Sequence, residues 1–496
     1  MGIRVTGSGT RKQYSKSIGL RAAIGLILGV VIGSGIFSSP GLVTTYVKSP
    51  GATVVVWFAS GVISLLGGWC YCELGAAMPF TGGDTVYLER AFGRMTAFLY
   101  VWVSALVARP ASVALSAIVS SDYACSLLWE EKDEPESARW GAAAIAILTS
   151  CLIQIMSTYV AAVSLSIMTA FKMILVLAIC LLGVFHAGIM SKGTTQLDPS
   201  NSFENLETKP GDWVLALVNC LYAYNGWHML NLAASEVADP STTIPRAIHT
   251  GLLTAMVSFL WINISYLLTI PIEDISGSTT VAVDFTKVIA GELPSQIVAG
   301  GVALSAFATC HGLLLTSTQA IRESGRSQLL PKIFAGQLQL CRDVTPTPLF
   351  ALVVQSTIAI LMVRFLEGFE AIVRVFVWTQ WVFFSLSILA LVTLRWAEPE
   401  LDRPFRVWLI VPVLFVGISI FMVFVLFFLS PATCSVAMVA LMLGIPAWYL
   451  HQYMLRRQGV STCVKNQNDE QPLLVTTAAN PHYADSVTDT PALKSL

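Results

Sequence analysis

The chain has 496 residues, of which 55% are hydrophobic and 12% are charged, and its formal net charge at pH 7 is −1. A soluble globular protein carries about 25% charged residues, so this chain lacks the polar shell that a soluble protein of its size needs. Its near-neutral charge provides no basic surface for nucleic acid, and its mean hydropathy of +0.70 argues against an ordinary cytosolic enzyme. The composition predicts an all-α integral membrane protein with many spans.

Apolar windows separated by polar breaks predict about twelve transmembrane helices. An even number of spans places both termini on the same side of the membrane. Of the 29 Lys and Arg residues, 19 fall on the side of the termini, 8 fall on the other side, and Arg109 and Lys172 fall within spans. The positive-inside rule therefore predicts that both termini are cytoplasmic. The predicted spans lie near residues 19–46, 52–79, 95–127, 138–157, 160–187, 213–236, 246–271, 296–319, 348–366, 369–394, 406–429 and 433–454.

The spans divide the chain into three parts. A polar N-terminal tail over residues 1–17 precedes the twelve-span domain over residues 18–455, and a second polar tail covers residues 456–496. The composition of the tails predicts that both are cytoplasmic and disordered.

Glycines and polar residues interrupt the first and sixth spans at mid-depth. The first span contains Ile32-Gly33-Ser34-Gly35, and the sixth contains Asn225-Gly226. Glycine weakens a helix, so both segments are predicted breaks. Because they are five spans apart, they favour an inverted repeat of five plus five helices.

An unwound segment exposes backbone groups that can bind a zwitterion. Amides at the start of one half-helix can bind a carboxylate, and carbonyls at the end of the other can bind an ammonium group. The pair therefore predicts an α-amino acid site, although the glycines could instead serve only close helix packing. The amides are those of Ser34, Gly35 and Ile36, and the carbonyls are those of Val31, Ile32, Tyr222, Ala223 and Asn225.

Two basic residues are predicted within the membrane, where an unpaired charge is expensive. Lys172 is a functional candidate as a fixed positive charge near the first break, with snorkelling to the membrane surface as the alternative. Arg109 precedes Pro110 in the third span and is either a structural clamp or a substrate contact. His228, just after the second break, is a pocket candidate or a packed core residue. Glu73 near the end of the second span is a gate candidate. No residue spacing indicates a metal site or a cofactor.

With these features the sequence resembles the light-subunit, L-type amino-acid exchangers of the amino acid–polyamine–organocation superfamily. The resemblance extends from about Ile18 to Tyr453. It rests on the order and spacing of several short motifs, namely Ile32-Gly33-Ser34-Gly35-Ile36-Phe37, Cys72-Glu73-Leu74-Gly75, Arg109-Pro110-Ala111-Ser112, Gly82-Gly83 with Ala91-Phe92-Gly93, Val281-Ala282-Val283-Asp284-Phe285 and Pro399-Glu400-Leu401-Asp402-Arg403-Pro404.

The resemblance implies a LeuT-type 5+5 inverted repeat with broken helices 1 and 6, and sodium-independent exchange of amino acids. It implies that Ser34 and Gly35 bind the substrate carboxylate and that Tyr222 is an aromatic gate. It also implies that Trp381 borders the side-chain pocket and that Lys172 stands in for sodium.

Two departures from the family pattern refine these expectations. Members usually carry a cysteine in an outward-facing hairpin that forms a disulfide with a heavy-chain glycoprotein, but here Lys132 stands near that position. A disulfide-linked heavy chain is therefore not expected, whereas a noncovalent one stays open. The sixth-span break, with Asn225 and His228, has no carboxylate to compensate a cationic substrate, so neutral and large amino acids are the predicted substrates.

The C-terminal tail contains two patterns that resemble sorting signals. They predict that clathrin adaptors recognise the tail, and that the protein resides in the plasma membrane and cycles through endolysosomes. Proton-coupled transport, uniport and an amino-acid sensor with a transporter-like structure are the alternatives to exchange. The residues of the two patterns are Asp469, Leu473 and Leu474 of an acidic dileucine sequence, and Asn480, Pro481 and Tyr483 of an N-P-x-Y sequence.

Overall fold

A computed structural model of the chain describes residues 18–129, 135–156, 158–186, 195–198, 200–336, 348–366 and 368–457. The predicted sorting residues from Asp469 to Tyr483, both predicted tails apart from residues 456–457, and Lys132 lie outside these ranges.

In the described ranges, the regular secondary structure consists of helices, which confirms the predicted all-α membrane class. Three 3₁₀ helices (Thr195–Leu197, Trp227–Glu236 and Lys332–Ala335) and one π-helical turn (Ser104–Ala108) accompany the α-helices. The α-helices are α1 (Leu20–Val31), α2 (Gly35–Val47), α3 (Pro50–Ala77), α4 (Asp84–Phe92), α5 (Arg94–Val103), α6 (Arg109–Cys125), α7 (Glu136–Met156), α8 (Thr158–Phe185), α9 (Pro210–Ala223), α10 (Pro240–Thr269), α11 (Ile272–Ile275), α12 (Val281–Ala290), α13 (Glu292–Arg326), α14 (Leu349–Phe365), α15 (Gly368–Ala397), α16 (Ile410–Leu429) and α17 (Pro431–Arg457).

Eight of the described helices are long and apolar enough to cross a membrane, and the bent pair of α1 and α2 makes a ninth candidate span. The part of α8 from Met168 to Gly183 and helix α14 are apolar but shorter than a full span, although α8 as a whole has 28 residues. The sixth predicted span is divided between α9 and the 3₁₀ helix Trp227–Glu236, each of which is shorter than the ~20 residues that a span needs. The count of twelve therefore stays a prediction.

Three short helices (α4, α11 and α12) and the π-helical turn were not anticipated by the list of spans. Helices α4 and α12 have only 9 and 10 residues and carry charged side chains, so no apolar window marks them. The π-helical turn lies just before Pro110, which has no backbone N–H and so cannot continue the regular hydrogen-bond ladder.

The beginning and the end of the described chain lie at the same end of the helical bundle, here called the Ile18 end. The opposite end, where α2 finishes, is called the Lys48 end. At the Ile18 end, backbone and side-chain hydrogen bonds connect successive segments of the chain. The connecting contacts are the backbone pairing of Ile18 with Val237, the Gly82 amide on the Leu232 carbonyl, the Arg94 guanidinium on the Ser327 carbonyl and the His451 ring on the Gln328 carbonyl.

Candidate functional site

The first predicted break is present between α1 and α2. Helix α1 ends at Val31, α2 begins at Gly35, and the two helices are bent by 45°. The Gly33 amide turns back onto the Val31 carbonyl at 2.8 Å instead of bonding four residues earlier. The amides of Ser34, Gly35 and Ile36 lie at the start of α2, where N–H groups have no partner within their own helix.

The second predicted break is also present. Helix α9 ends at Ala223, and Gly226 has a φ of +121°, a conformation that only glycine adopts at low cost. The Asn225 amide bonds the Tyr222 carbonyl at 3.1 Å. The chain then continues as a 3₁₀ helix rather than as a continuous α-helix.

The two breaks pack directly against each other. A Cβ added to Gly35 would lie 2.6 Å from Ala223 Cα, and one added to Gly226 would lie 2.5 Å from Val30 Cγ1. The Ser34 and Tyr222 hydroxyl oxygens are 3.2 Å apart. The structure therefore brings together the two segments that the sequence predicts to bind one substrate.

Ser34 is also 3.2 Å from the hydroxyl of Ser116 on α6, a residue that the sequence prediction missed. Ser34 is 3% exposed, Ser116 1% and Tyr222 8%, so the three hydroxyls form a buried polar cluster. A single serine in an apolar span resembles any other small residue. No pattern in the third span distinguishes Ser116.

Lys172 approaches the first break from α8. Its ammonium group donates to the Gly29 carbonyl at 2.6 Å, and the side chain is buried. In an unbroken helix that carbonyl would accept the Gly33 amide, which here bonds Val31 instead. Lys172 thus donates a hydrogen bond to a carbonyl that the break releases, and its ammonium group lies beside the break.

Arg109 lies where the π-helical turn meets α6. Its Nε donates to the Ser104 hydroxyl at 3.1 Å, and Gln355 of α14 donates to the Ala105 carbonyl of the same turn at 2.5 Å. These contacts hold the wide turn in place and give Arg109 a structural role. The geometry favours the clamp over direct substrate contact.

Aromatic rings surround the break of the sixth span. Tyr222 meets Phe369 and Phe376 of α15 edge to face, with ring centroids 5.7 and 5.9 Å apart. Trp381 of α15 stacks on Phe415, with ring centroids 5.4 Å apart, and belongs to the same group of aromatic rings. His228 packs edge-on against Phe384 at 5.0 Å, and its Nδ1 has no hydrogen-bond partner among the described residues.

Ionic contacts join α15 to its neighbours at the Ile18 end. Glu73 is fully buried and accepts two hydrogen bonds from Arg395, at 2.8 and 2.5 Å, and one from the Val407 amide at 2.8 Å. Arg403 lies 3.9 Å from the same carboxylate. Glu73 therefore ties α3 to the end of α15, and its role at a gate stays a prediction.

A second group of contacts holds α15 at the Lys48 end. The Tyr46 hydroxyl at the end of α2 donates to Glu370 at 2.5 Å and accepts from Arg374 at 2.9 Å. Arg374 also donates to Glu370 at 2.6 Å. Helix α15 is thus bound at one end to α3 and at the other end to α2, which forms one side of the first break.

Comparison with known proteins gives a consistent result. The family model for amino acid permeases matches residues 18–448. The chain is 30% identical to the large neutral amino acids transporter small subunit 2 of Rattus norvegicus, over 88% of this chain and 81% of the rat protein. It is 31% identical to the b(0,+)-type amino acid transporter 1 of Mus musculus, over 85% and 84% of the two chains. It is 30% identical to the cystine/glutamate transporter of Homo sapiens, over 88% and 85%.

Proposed function

This chain belongs to the amino acid permease family, and from that membership we propose sodium-independent exchange of large neutral amino acids by alternating access as its function. The family and the three relatives are transporters rather than enzymes. The single observation that carries the proposal is the direct contact between the two helix breaks, with Gly35 against Ala223 and Ser34 against Tyr222.

The proposed substrate position follows from the polarity of the breaks. The amides at the start of α2 face the region where the positive end of the helix dipole favours a carboxylate. The carbonyls at Val31 and Ile32, together with those at Tyr222, Ala223 and Asn225, supply acceptors for the substrate ammonium group. The substrate carboxylate then meets N–H groups, which carry a partial positive charge, and the ammonium group meets carbonyl oxygens, which carry a partial negative charge.

Sodium independence is proposed from the position of Lys172. Its ammonium group already occupies a backbone acceptor beside the first break, where a bound cation would otherwise stabilise the free carbonyls. A positive charge held at this place by the protein itself makes a cotransported sodium ion unnecessary for substrate binding.

Preference for neutral and large side chains is proposed from the aromatic rings. Tyr222, Trp381 and Phe384 supply apolar surface around the sixth-span break, and His228 lies against Phe384. Such a surface gains free energy by covering apolar side chains and offers a cationic side chain no carboxylate in direct contact. Large neutral amino acids fit it best.

A noncovalent heavy-chain partner is part of the proposal. One relative is named as a small subunit, which supports assembly with a second subunit. Of the eight described cysteines, seven are buried and Cys180 is half-buried, so none offers the exposed thiol that an intersubunit disulfide needs. The remaining two cysteines, Cys341 and Cys463, lie outside the described residues.

The cellular setting is proposed from the sequence alone. The distribution of basic residues supports cytoplasmic termini, and the two tail motifs support a plasma-membrane protein that clathrin adaptors retrieve into endolysosomes. The integral-membrane location itself is established by the family and by the apolar helices.

Uptake into proteoliposomes tests the proposed function. Purified protein in vesicles loaded with unlabelled leucine should take up labelled leucine with or without external sodium, while empty vesicles should take up little. Phenylalanine should compete with the label, whereas lysine and glutamate should not. Equal uptake into loaded and empty vesicles would contradict exchange and favour uniport, and uptake that requires sodium or a proton gradient would contradict the coupling proposed here.

A further inference from the structure

Asp84 is a buried carboxylate at the Ile18 end that the sequence analysis did not select. It is 2% exposed, and hydroxyls from three helices donate to it. Ser387 of α15 donates at 2.7 Å, Tyr100 of α5 donates at 3.3 Å, and Tyr71 of α3 also donates. These four residues are called the Asp84 cluster.

Local backbone geometry explains why the carboxylate is at this place. Gly82 and Gly83 have φ values of +131° and +52°, which permit the sharp turn that precedes α4. Asp84 is the first residue of α4, where the helix dipole stabilises a negative charge. The Gly82 amide bonds the Leu232 carbonyl at 3.2 Å, so the same turn holds the 3₁₀ half of the sixth span.

The cluster reaches both the substrate region and the buried arginine. The Tyr71 ring lies 6.2 Å from the ring of His228, which follows the sixth-span break. On the other side, Arg109 donates to the Ser104 hydroxyl at 3.1 Å, and Ser104 begins the π-helical turn that directly follows α5, the helix that carries Tyr100. The charged and titratable groups around Asp84, besides the tyrosines that donate to it, are Arg109, beyond Tyr100, His228, beside Tyr71, and Tyr87, whose ring lies 6.2 Å from that of Tyr71.

We propose that Asp84 is a positioning residue that latches the Ile18 end closed by holding α15 to α3 and α5. This inference rests on the proposed function, because a latch matters only if this end opens during alternating access. Opening separates α15 from its neighbours and must break the hydrogen bond that Ser387 donates to Asp84, and hydrogen bonds accepted by carboxylates are about twice as strong as those between neutral groups. Asp84 does not touch the substrate and acts through Ser387 and Tyr71.

Two native cysteines report on opening at this end. Cys70 and Cys72 flank Tyr71 and are fully buried, so N-ethylmaleimide reaches them only when the end opens. Cys434, also fully buried, reports on the Lys48 end. In full-length protein reconstituted in vesicles, Asp84→Asn should speed alkylation of Cys70 and Cys72 about tenfold, as expected for a shift in the closed-to-open equilibrium. Alkylation of Cys434, followed by mass spectrometry of its peptide, should stay unchanged.

A matched variant separates the latch from a general loss of stability. Asp122 is a buried carboxylate near the Lys48 end, 5% exposed and 2.8 Å from Arg139. Asp122→Asn should leave Cys70 and Cys72 protected. Equal acceleration in both variants would overturn the latch, because it would indicate loosening of the whole bundle.

Variants that keep the carboxylate preserve the test if Asp84→Asn does not fold. Ser387→Ala and Tyr100→Phe each remove one donor and should accelerate alkylation by a smaller factor. Unchanged alkylation in both would overturn the proposal. Alkylation measures opening rather than transport, so the two proposals can fail separately. Unchanged alkylation together with normal exchange by the wild-type protein would reject the latch alone. Absence of exchange by the wild-type protein would reject the proposed function.

Discussion

Lys172 illustrates how a single buried charge can be satisfied without a carboxylate. Its ammonium group donates to the Gly29 carbonyl at 2.6 Å, and this acceptor is available because the first span is broken three residues later. The lysine and the break therefore depend on each other. Removing the ammonium group leaves a buried carbonyl without a partner, which costs about 1–3 kcal/mol.

Replacement of Lys172 by Ala should abolish amino-acid exchange while leaving expression at the membrane intact. The expected reason is that the first break loses the positive charge that orders it. Exchange into preloaded proteoliposomes measures the effect, and Lys287→Ala, which removes an exposed lysine paired with Glu292, is the matched control. Normal exchange by Lys172→Ala would make this lysine purely structural.

Gly35 lies directly against the backbone of the other break, whereas the atom nearest to Gly226 belongs to a side chain. Replacement of Gly35 by Val should raise the half-saturation constant for substrate by about tenfold or more, because an added Cβ would lie 2.6 Å from the Ala223 backbone. Gly417→Val is the control, since an added Cβ there meets no atom within 4 Å. A half-saturation constant that stays at the wild-type value would remove Gly35 from the substrate site.

The residues of the site that sequence analysis could find were those with a local signal. Glycines beside polar residues within an apolar span mark Ser34, Gly35 and Asn225, and an isolated charge marks Lys172. Ser116 and Asp84 carry no such signal, because their importance arises from contacts with helices far away in the sequence. The roles of Ser34, Gly35 and Asn225 in substrate binding and of Lys172 as a fixed charge stay predictions.

Ion pairs join the ends of neighbouring helices, and the contribution of each pair to stability depends on how deeply it is buried. The pair of Glu73 and Arg395 connects α3 to α15, with side chains 0% and 6% exposed. The pair of Arg90 and Glu398 connects α4 to the segment after α15, with both side chains 33% exposed. Removing one member of a buried pair strands the other charge, whereas solvent compensates the loss of an exposed one.

Glu73→Gln should therefore destabilise the protein by about 3–5 kcal/mol, and Glu398→Gln by about 0–1 kcal/mol. Thermal unfolding midpoints of the two variants in the same detergent compare them directly. Equal midpoints would mean that water reaches Glu73 in the folded protein and that the ion pair contributes little.

Element boundaries were predictable wherever a long apolar window ended in charge. Predicted span 138–157 corresponds to α7, and predicted span 369–394 to α15. The π-helical turn was not predictable, because it depends on Gln355 of another helix, which bonds the Ala105 carbonyl. Helix α4 was missed because its nine residues include three charged side chains and so give no apolar window.

For the whole molecule, the contacts at the Ile18 end place the start of α1 and the end of α17 on the same side. The charge distribution adds the expectation that this side is cytoplasmic. Epitope tags on both termini should then resist protease in intact cells and be cleaved after permeabilisation. A tag inserted between residues 130 and 134, which the predicted spans put on the opposite side, should be cleaved in intact cells. Cleavage of either terminal tag without permeabilisation would contradict the predicted orientation.

Helix α15 carries polar attachments near both of its ends, at Arg374 and at Arg395, which are about 30 Å apart along a straight helix. That length is close to the thickness of the hydrocarbon core of a bilayer. A stiff helix that is held by polar contacts at both faces of a membrane transmits force from one face to the other. Breaking the contacts at one face therefore strains the contacts at the opposite face but does not break them. We expect this coupling between the two faces to suppress ion leak, because a continuous water-filled path would require the contacts at both ends of α15 to break at the same time.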